Sequence, residues 1–345
     1  MTGSLGEPAG RETVGTAREL RALEPDMRAR EMKSLMMMTE RLTLTQRAAL
    51  VASLTSSIAH CEALDLVEGR VGQTPTCPKC RAQKVVRNGQ ADGLQRYKCR
   101  GCGVTFNALT GTPLARLRHR DKWLLQAQAL DQGLSVRKAA GQMGVHRTTS
   151  FRWRHRFLTL PREVKEQALT GVAEADDTYV LRSFKGQRQA VASAGRAARH
   201  RGGKARQRGL SREQVPILVV RNRAGQTTDS VLEVADKASV SQVLRIAVAP
   251  DAVLCTDGSN FLAAVAKALG LEHQAVDVQS GQRVRGAWHI QNVNAYHGRF
   301  KEWMRRFKGV ATSYLPNYLG WFRALDRNAR AAAKPASLLA LAVGA

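Results

Sequence analysis

Hydrophobic positions change rhythm along the chain. Over residues 31–66 the apolar Leu42, Leu44, Ala48, Leu50, Val51 and Leu54 recur near helical spacing. Thr43 or Thr45 is available as an N-cap before Gln46, which predicts a small pair of helices. Cys61 stands alone in this segment and is expected to be a buried small side chain. Over residues 121–131, Trp123, Leu124, Ala127 and Leu130 form an apolar stripe that Gly133 ends. Ser135 then caps a helix over 136–143, Gly144 supplies a turn, and a second helix starts at His146. After a helical linker over 157–169 the pattern becomes that of strands at 171–181, 215–221 and 228–233. A helix at 239–248, a strand at 252–256, a helix at 261–270, a strand at 274–278 and a long final helix at 292–307 follow. The first 26 residues lack periodicity and predict a flexible arm, and the Ala/Leu-rich end from 331 to 345 points to nothing.

Composition narrows the class. With 43% apolar and 24% charged residues the chain can bury a core, and 345 residues allow two or three domains. No run of about 18 uninterrupted apolar residues and no signal pattern are present, which predicts a cytoplasmic protein with no membrane span. The 54 Lys and Arg against 28 Asp and Glu leave a formal charge of +26, a surplus that a polyanion such as DNA would neutralise.

Cys77-Pro-Lys-Cys80 and Cys99-Arg-Gly-Cys102 are separated by eighteen residues. Two such knuckles place four thiolates around one Zn²⁺, with Gly101 and Gly103 suiting the tight turns that aim amides at sulfur. Short strands at 84–87 and 94–98 around a turn at 88–93 complete a zinc ribbon. Four protein ligands leave no open position, so the zinc is structural.

The helix, glycine-containing turn and helix of 121–154 match a helix-turn-helix, whose second helix enters the major groove. His146, Arg147, Thr149 and Ser150 are then candidate base readers, and Arg152 and Arg154 candidate phosphate contacts.

The order β-β-β-α-β-α-β-α of the second half is that of an RNase H-like core. Asp176 falls in the middle of its first strand, and Asp257 at the end of its fourth, before Gly258. These strands are neighbours in such a core, so the two carboxylates can share a pair of Mg²⁺ or Mn²⁺ ions. Glu174 and Thr178 share a strand face with Asp176, while Asp177 points the other way; Glu174 is either a further ligand or a support for one.

Four features together resemble insertion-sequence transposases with an N-terminal zinc ribbon and an Asp-Asp-Glu or Asp-Asp-Asn core, of the ISXO type. They are the four cysteines, Glu174-Ala-Asp-Asp-Thr-Tyr179, Thr256-Asp-Gly258 and His289-Ile-Gln-Asn-Val-Asn294. The resemblance implies Asp176, Asp257 and Asn294 as the catalytic metal ligands, with neutral Asn in place of the commoner Glu. His297 and Lys301 follow on the same helix face, and His289 orders the entry to the helix. It further implies a transposase that binds terminal inverted repeats and carries out metal-dependent cleavage and strand transfer. Double-stranded DNA would be the partner, with at least a dimer when two ends are synapsed. A DNA-binding regulator with an inactive core, or a nuclease without strand transfer, would carry the same motifs.

The expected architecture is therefore multidomain α+β. It comprises an arm (1–30), a helical region (31–70), the ribbon (71–112), the helix-turn-helix (118–160), an α/β RNase H-like domain with a mixed five-stranded sheet (170–325) and a tail (326–345). A basic insertion at 182–212, with ten Lys or Arg and no Asp or Glu, is expected to order on DNA.

Overall fold

The computed structural model describes residues 28–344 apart from 73, 195–202, 204, 206–210, 278–279, 282 and 329–334. The flexible arm and most of the centre of the basic insertion therefore lie outside the described residues. The chain divides into two compact units: a first that ends at Gln128 and also takes in Pro335–Ala345, and a second formed by Ala129–Lys334.

The first unit opens with helices α1 (Ala29–Glu40) and α2 (Leu44–Gly69). Thr43 fixes the start of α2 through a capping box: its Oγ1 accepts from the Gln46 amide, and Gln46 Oε1 accepts from the Thr43 amide. The expected helix pair is present, but Cys61 is exposed, because α2 buries only Ala63, Leu64 and Val67 near its C-terminus. Among the described residues, α2 is long and apolar enough to cross a membrane by length and composition. A search for uninterrupted apolar runs passes over it because Thr, Ser and His break the run.

Strands β1 (Val85–Ala91), β2 (Leu94–Cys99) and β3 (Thr105–Asn107) follow as an antiparallel sheet in that order. Asp92 and Gly93 both have positive φ and close a two-residue hairpin, so the turn is shorter than the predicted 88–93. Asn88 and Gly89 lie instead inside β1, where the register shifts between Arg87 and Gln90. A Cβ on Gly93 would also stand 2.7 Å from Leu64, so the hairpin tip and the end of α2 meet over a glycine. The predicted empty tail is a helix, Pro335–Val343, that packs against α2 and buries Leu338, Leu339, Ala342 and Val343.

The division between units falls within α3 (Trp123–Asp131). In the second unit, α4 (Val136–Met143), α5 (Arg147–Phe157) and the short α6 (Thr159–Glu163) precede β4 (Val172–Leu181). Helix α7 (Arg188–Ser193) lies inside the basic insertion, which thus carries some structure without DNA. Lys185, at its start, donates to the Gly309 carbonyl at 2.7 Å. Strands β5 (Gln214–Asn222) and β6 (Thr227–Val231), helix α8 (Lys237–Ala247), strand β7 (Val253–Thr256), helix α9 (Asn260–Ala268) and strand β8 (Glu272–Ala275) complete the sheet. Its order is β6-β5-β4-β7-β8, with β4 antiparallel to β5 and parallel to β7.

This five-stranded mixed sheet is the one expected. All of β5 except Gln214 is buried, which is why it reads as a continuous apolar run rather than an alternation. Ala173 and Ala175 of β4 join Leu218, Val220 and Leu254 under α8 and α9. The opposite face is covered by α10 (Gln291–Arg305), which buries Val293, Tyr296, Phe300 and Trp303. The helix expected to be final is followed by α11 (Leu315–Asn328), which packs on α6 and β6.

Candidate functional site

Alternation along β4 turns Glu174, Asp176 and Thr178 to the α10 face. In the parallel register Glu174 pairs with Cys255, and two further places bring Asp257 level with Asp176. Adjacent strands lie about 4.8 Å apart, so the two carboxylates meet at the sheet edge where β7 ends. Gly258, at φ +82°, turns the chain away, and Asp257 Oδ1 accepts from the Ser259 amide at 3.0 Å. Burial, then the charges of Asp177 and Asp257, push the Asp176 carboxyl up to about 7, against a bond from the Asp177 amide and the charge of Lys301. Asp177 itself is turned aside, accepting from the Tyr179 hydroxyl at 2.6 Å.

Glu174 is fully buried and already engaged. It accepts from the Val293 amide at 3.0 Å and from Asn292 Nδ2 at 2.8 Å, and pairs with Arg223 Nη1 at 2.9 Å. His289 Nδ1 stands 3.3 Å from it. Arg223 bonds both the His289 ring and the Ala287 carbonyl, so one carboxylate ties together β4, β5's end and the first turn of α10. Of the two roles open to Glu174, these contacts fit support. Its alternation with Asp176 was legible; its partners, 49 to 119 residues away, were not.

Asn294 lies one turn into α10 and is exposed. His297, one turn further, is buried, with Nδ1 3.7 Å from Asp176 Oδ2. Burial and the charge of Lys301 pull its pKa down to about 4, so the ring is neutral. Lys301 completes the face, and its charge is felt at both Asp176 and His297. The Asp257 charge opposes ionisation of Asp176, and a hard divalent cation is the kind of group that such a pair of carboxylates could hold.

The four cysteine sulfurs lie within 4.8 Å of one another. Cys77 and Cys102 are 3.7 Å apart and Cys80 and Cys99 3.5 Å. Tetrahedral zinc at about 2.3 Å from each sulfur requires sulfurs about 3.8 Å apart, so the cluster fits. The Gly101 amide points at Cys99 Sγ at 3.3 Å. The Cys80 amide lowers the Cys77 thiol to about 6; Cys80 receives the Ala82 amide, yet its sulfur neighbours push it up to about 12. A cation is what would let all four ionise together.

In the helix-turn-helix, Gly144 at φ +60° closes α4, and His146 caps α5 by accepting from the Thr148 amide. His146, Arg147 and Arg152 are exposed and Thr149 half-buried. Two expected contacts are corrected. Ser150 is fully buried, its hydroxyl donating to the Val136 carbonyl at 3.3 Å, because it faces α4. Arg154 is 1% exposed: Nη2 donates to the Leu134 carbonyl at 2.6 Å, Nη1 to the Tyr318 hydroxyl, and the guanidinium lies 5.0 Å over Trp321. Neither can reach DNA from this position.

Comparison with known proteins places these features. Residues 168–323 match the ISXO2-like transposase domain, 73–103 the InsA N-terminal domain, a zinc ribbon, and 116–162 a homeodomain-like domain. A protein of Halobacterium salinarum described as an uncharacterized protein in transposable element ISH50 is 27% identical over 257 residues, covering 72% of this chain and 83% of its own. A chain in the crystal structure of a pre-cleavage Mos1 transpososome aligns over 59% of this chain and 75% of its own, at 12% identity and a TM-score of 0.20.

Proposed function

We propose that this chain, which carries an ISXO2-like transposase domain behind a zinc ribbon and a helix-turn-helix, binds the ends of an insertion sequence and cuts and joins DNA there. The observation that supports the reading is the parallel register of β4 and β7, which brings Asp257, one residue past the end of β7, level with Asp176 on the face of the sheet that α10 covers. The kinship with a protein of transposable element ISH50 supports the biological setting.

Asp176, Asp257 and the Asn294 amide oxygen would hold Mg²⁺ or Mn²⁺, which supplies charge neutralisation for in-line phosphoryl transfer. The chain's own residues do the rest. Glu174 fixes the N-terminus of α10, and through it the reach of Asn294 toward the carboxylates. Lys301 offers a cation to a DNA phosphate beside the reacting bond. His297, neutral and packed against Asp176, keeps that carboxylate in place. Arg147, Arg152, His146 and Thr149 present the DNA-facing surface of α5.

The test is cleavage of labelled end DNA by the zinc-loaded protein in Mg²⁺ or Mn²⁺. Asp176→Ala and Asp257→Ala should each reduce the rate by about 1,000-fold or more while leaving DNA affinity within about twofold. Tight, salt-sensitive binding by the unaltered protein without cleavage in either metal would instead assign it to regulation.

A further inference from the structure

Among the described residues, helix α2 is anchored only near its C-terminal end. From Leu44 to Ile58 every residue but Leu50 is exposed, so the described residues leave most of a 26-residue helix without tertiary cover. An isolated helix of this length is marginal in water, and packing of an apolar face is what normally stabilises it. Such a face is present: Leu44, Val51, Leu54 and Ile58 are 85%, 62%, 54% and 60% exposed.

Their spacing is a heptad. Leu44, Val51 and Ile58 stand seven apart at the first core position, and Leu54 and Cys61 at the second. Arg47, which would interrupt the second series, is folded back onto the Glu40 and Leu42 carbonyls. We propose that α2 is a self-association element, pairing with α2 of a second copy of this chain as a parallel two-stranded coiled coil.

Three observations select that occupant. Branched Val51 and Ile58 at the first position with Leu54 at the second is the combination that favours two parallel strands. Charge excludes DNA and permits a like partner: residues 29–69 hold four Lys or Arg and five Asp or Glu in a chain of net +26, and Ala48 to Cys61 carries no charged side chain. Exposure leaves room for it: Leu44, Val51, Leu54 and Ile58 are each more than half exposed, so the described residues leave the whole seam that a second copy would cover open to water. The proposal stands apart from the chemistry proposed for the core.

The test uses the full zinc-loaded chain without DNA. Sedimentation should give a dimer at micromolar concentration, and a short bis-maleimide should link the two copies through Cys61, with no product from Cys61→Ser. The double variant Val51→Glu/Ile58→Glu should raise the dimer dissociation constant about 100-fold or more while zinc content stays unchanged. A monomer at those concentrations would overturn the proposal, as would a dimer indifferent to the double variant. A dimer that Cys61 fails to link would overturn the parallel pairing. Association with vesicles of phosphatidylcholine and phosphatidylglycerol by a protein that stays monomeric would assign the face to a lipid surface instead.

Discussion

Arg152 and Arg154 stand two places apart on α5 and have opposite fates, because two residues rotate a side chain by more than half a turn. Arg152 faces solvent; Arg154 is sealed against Trp321 and Tyr318. Arg152→Ala should therefore weaken DNA binding and reduce the salt slope by about one, read from titrations at several salt concentrations. Arg154→Ala should leave that slope unchanged and cost about 3 kcal/mol in urea unfolding. Burial of His155, then the charge of Arg154, hold the His155 pKa down to about 4. Its folded value lies below the usual 6.5, so its contribution is present above pH 6.5 and is lost as pH falls toward 4. His297 acts in the same window. Unfolding midpoints should fall from pH 7 to 4.5, and less steeply in His155→Phe. Basic residues on a recognition helix were legible from sequence; which of them the core takes was not, since Tyr318 and Trp321 lie over 160 residues away.

At the scale of elements, what was legible is what short-range spacing encodes. The paired cysteines, the capping residues Thr43 and Ser135, Gly144 and the strand alternation around Asp176 each act within a few residues, and each is found where its spacing put it. Long-range closures were invisible. Asp229, 1% exposed, accepts from Tyr296 at 2.7 Å and pairs with Arg323, which also donates to the Pro161, Arg162 and Val164 carbonyls. Gly320 lets α11 lie against α6, since a Cβ there would stand 2.6 Å from Arg162 Cα. Gly320→Ala, ordinarily favourable within a helix, should instead cost about 2 kcal/mol in thermal unfolding. In the ribbon, Cys77, Cys99, Tyr97 and Phe106 form a core too small to hold alone. Chelation of zinc should unfold that sheet, seen as loss of amide protection over residues 77–107 while β4 to β8 stay protected.

For the whole molecule, the division into units cuts α3 but keeps α4 and α5 with the sheet domain, because Arg154, Trp321 and α6 bind α5 into the second unit. The recognition proposed for α5 and the chemistry proposed at Asp176 and Asp257 would then share one compact body, so that DNA bound by one would be held near the other. The excess of positive charge belongs to such a protein, while the charge-balanced α1 and α2 mark the region that meets something other than DNA. In the proposed site the third ligand is the neutral Asn294 rather than an acid: a neutral ligand should suffice with two carboxylates, and Asn294→Ala should slow the reaction by about 100-fold at limiting Mg²⁺, with partial recovery at high Mg²⁺. The most direct measurement supplies an end already cut, with a free 3′ hydroxyl, and follows its joining to a supercoiled plasmid. The unaltered protein should join the end covalently in Mg²⁺ or Mn²⁺, and Asp176→Asn or Asp257→Asn should not. Joining that survives either substitution, or its absence in the unaltered protein on DNA that it binds tightly, would contradict the proposed function.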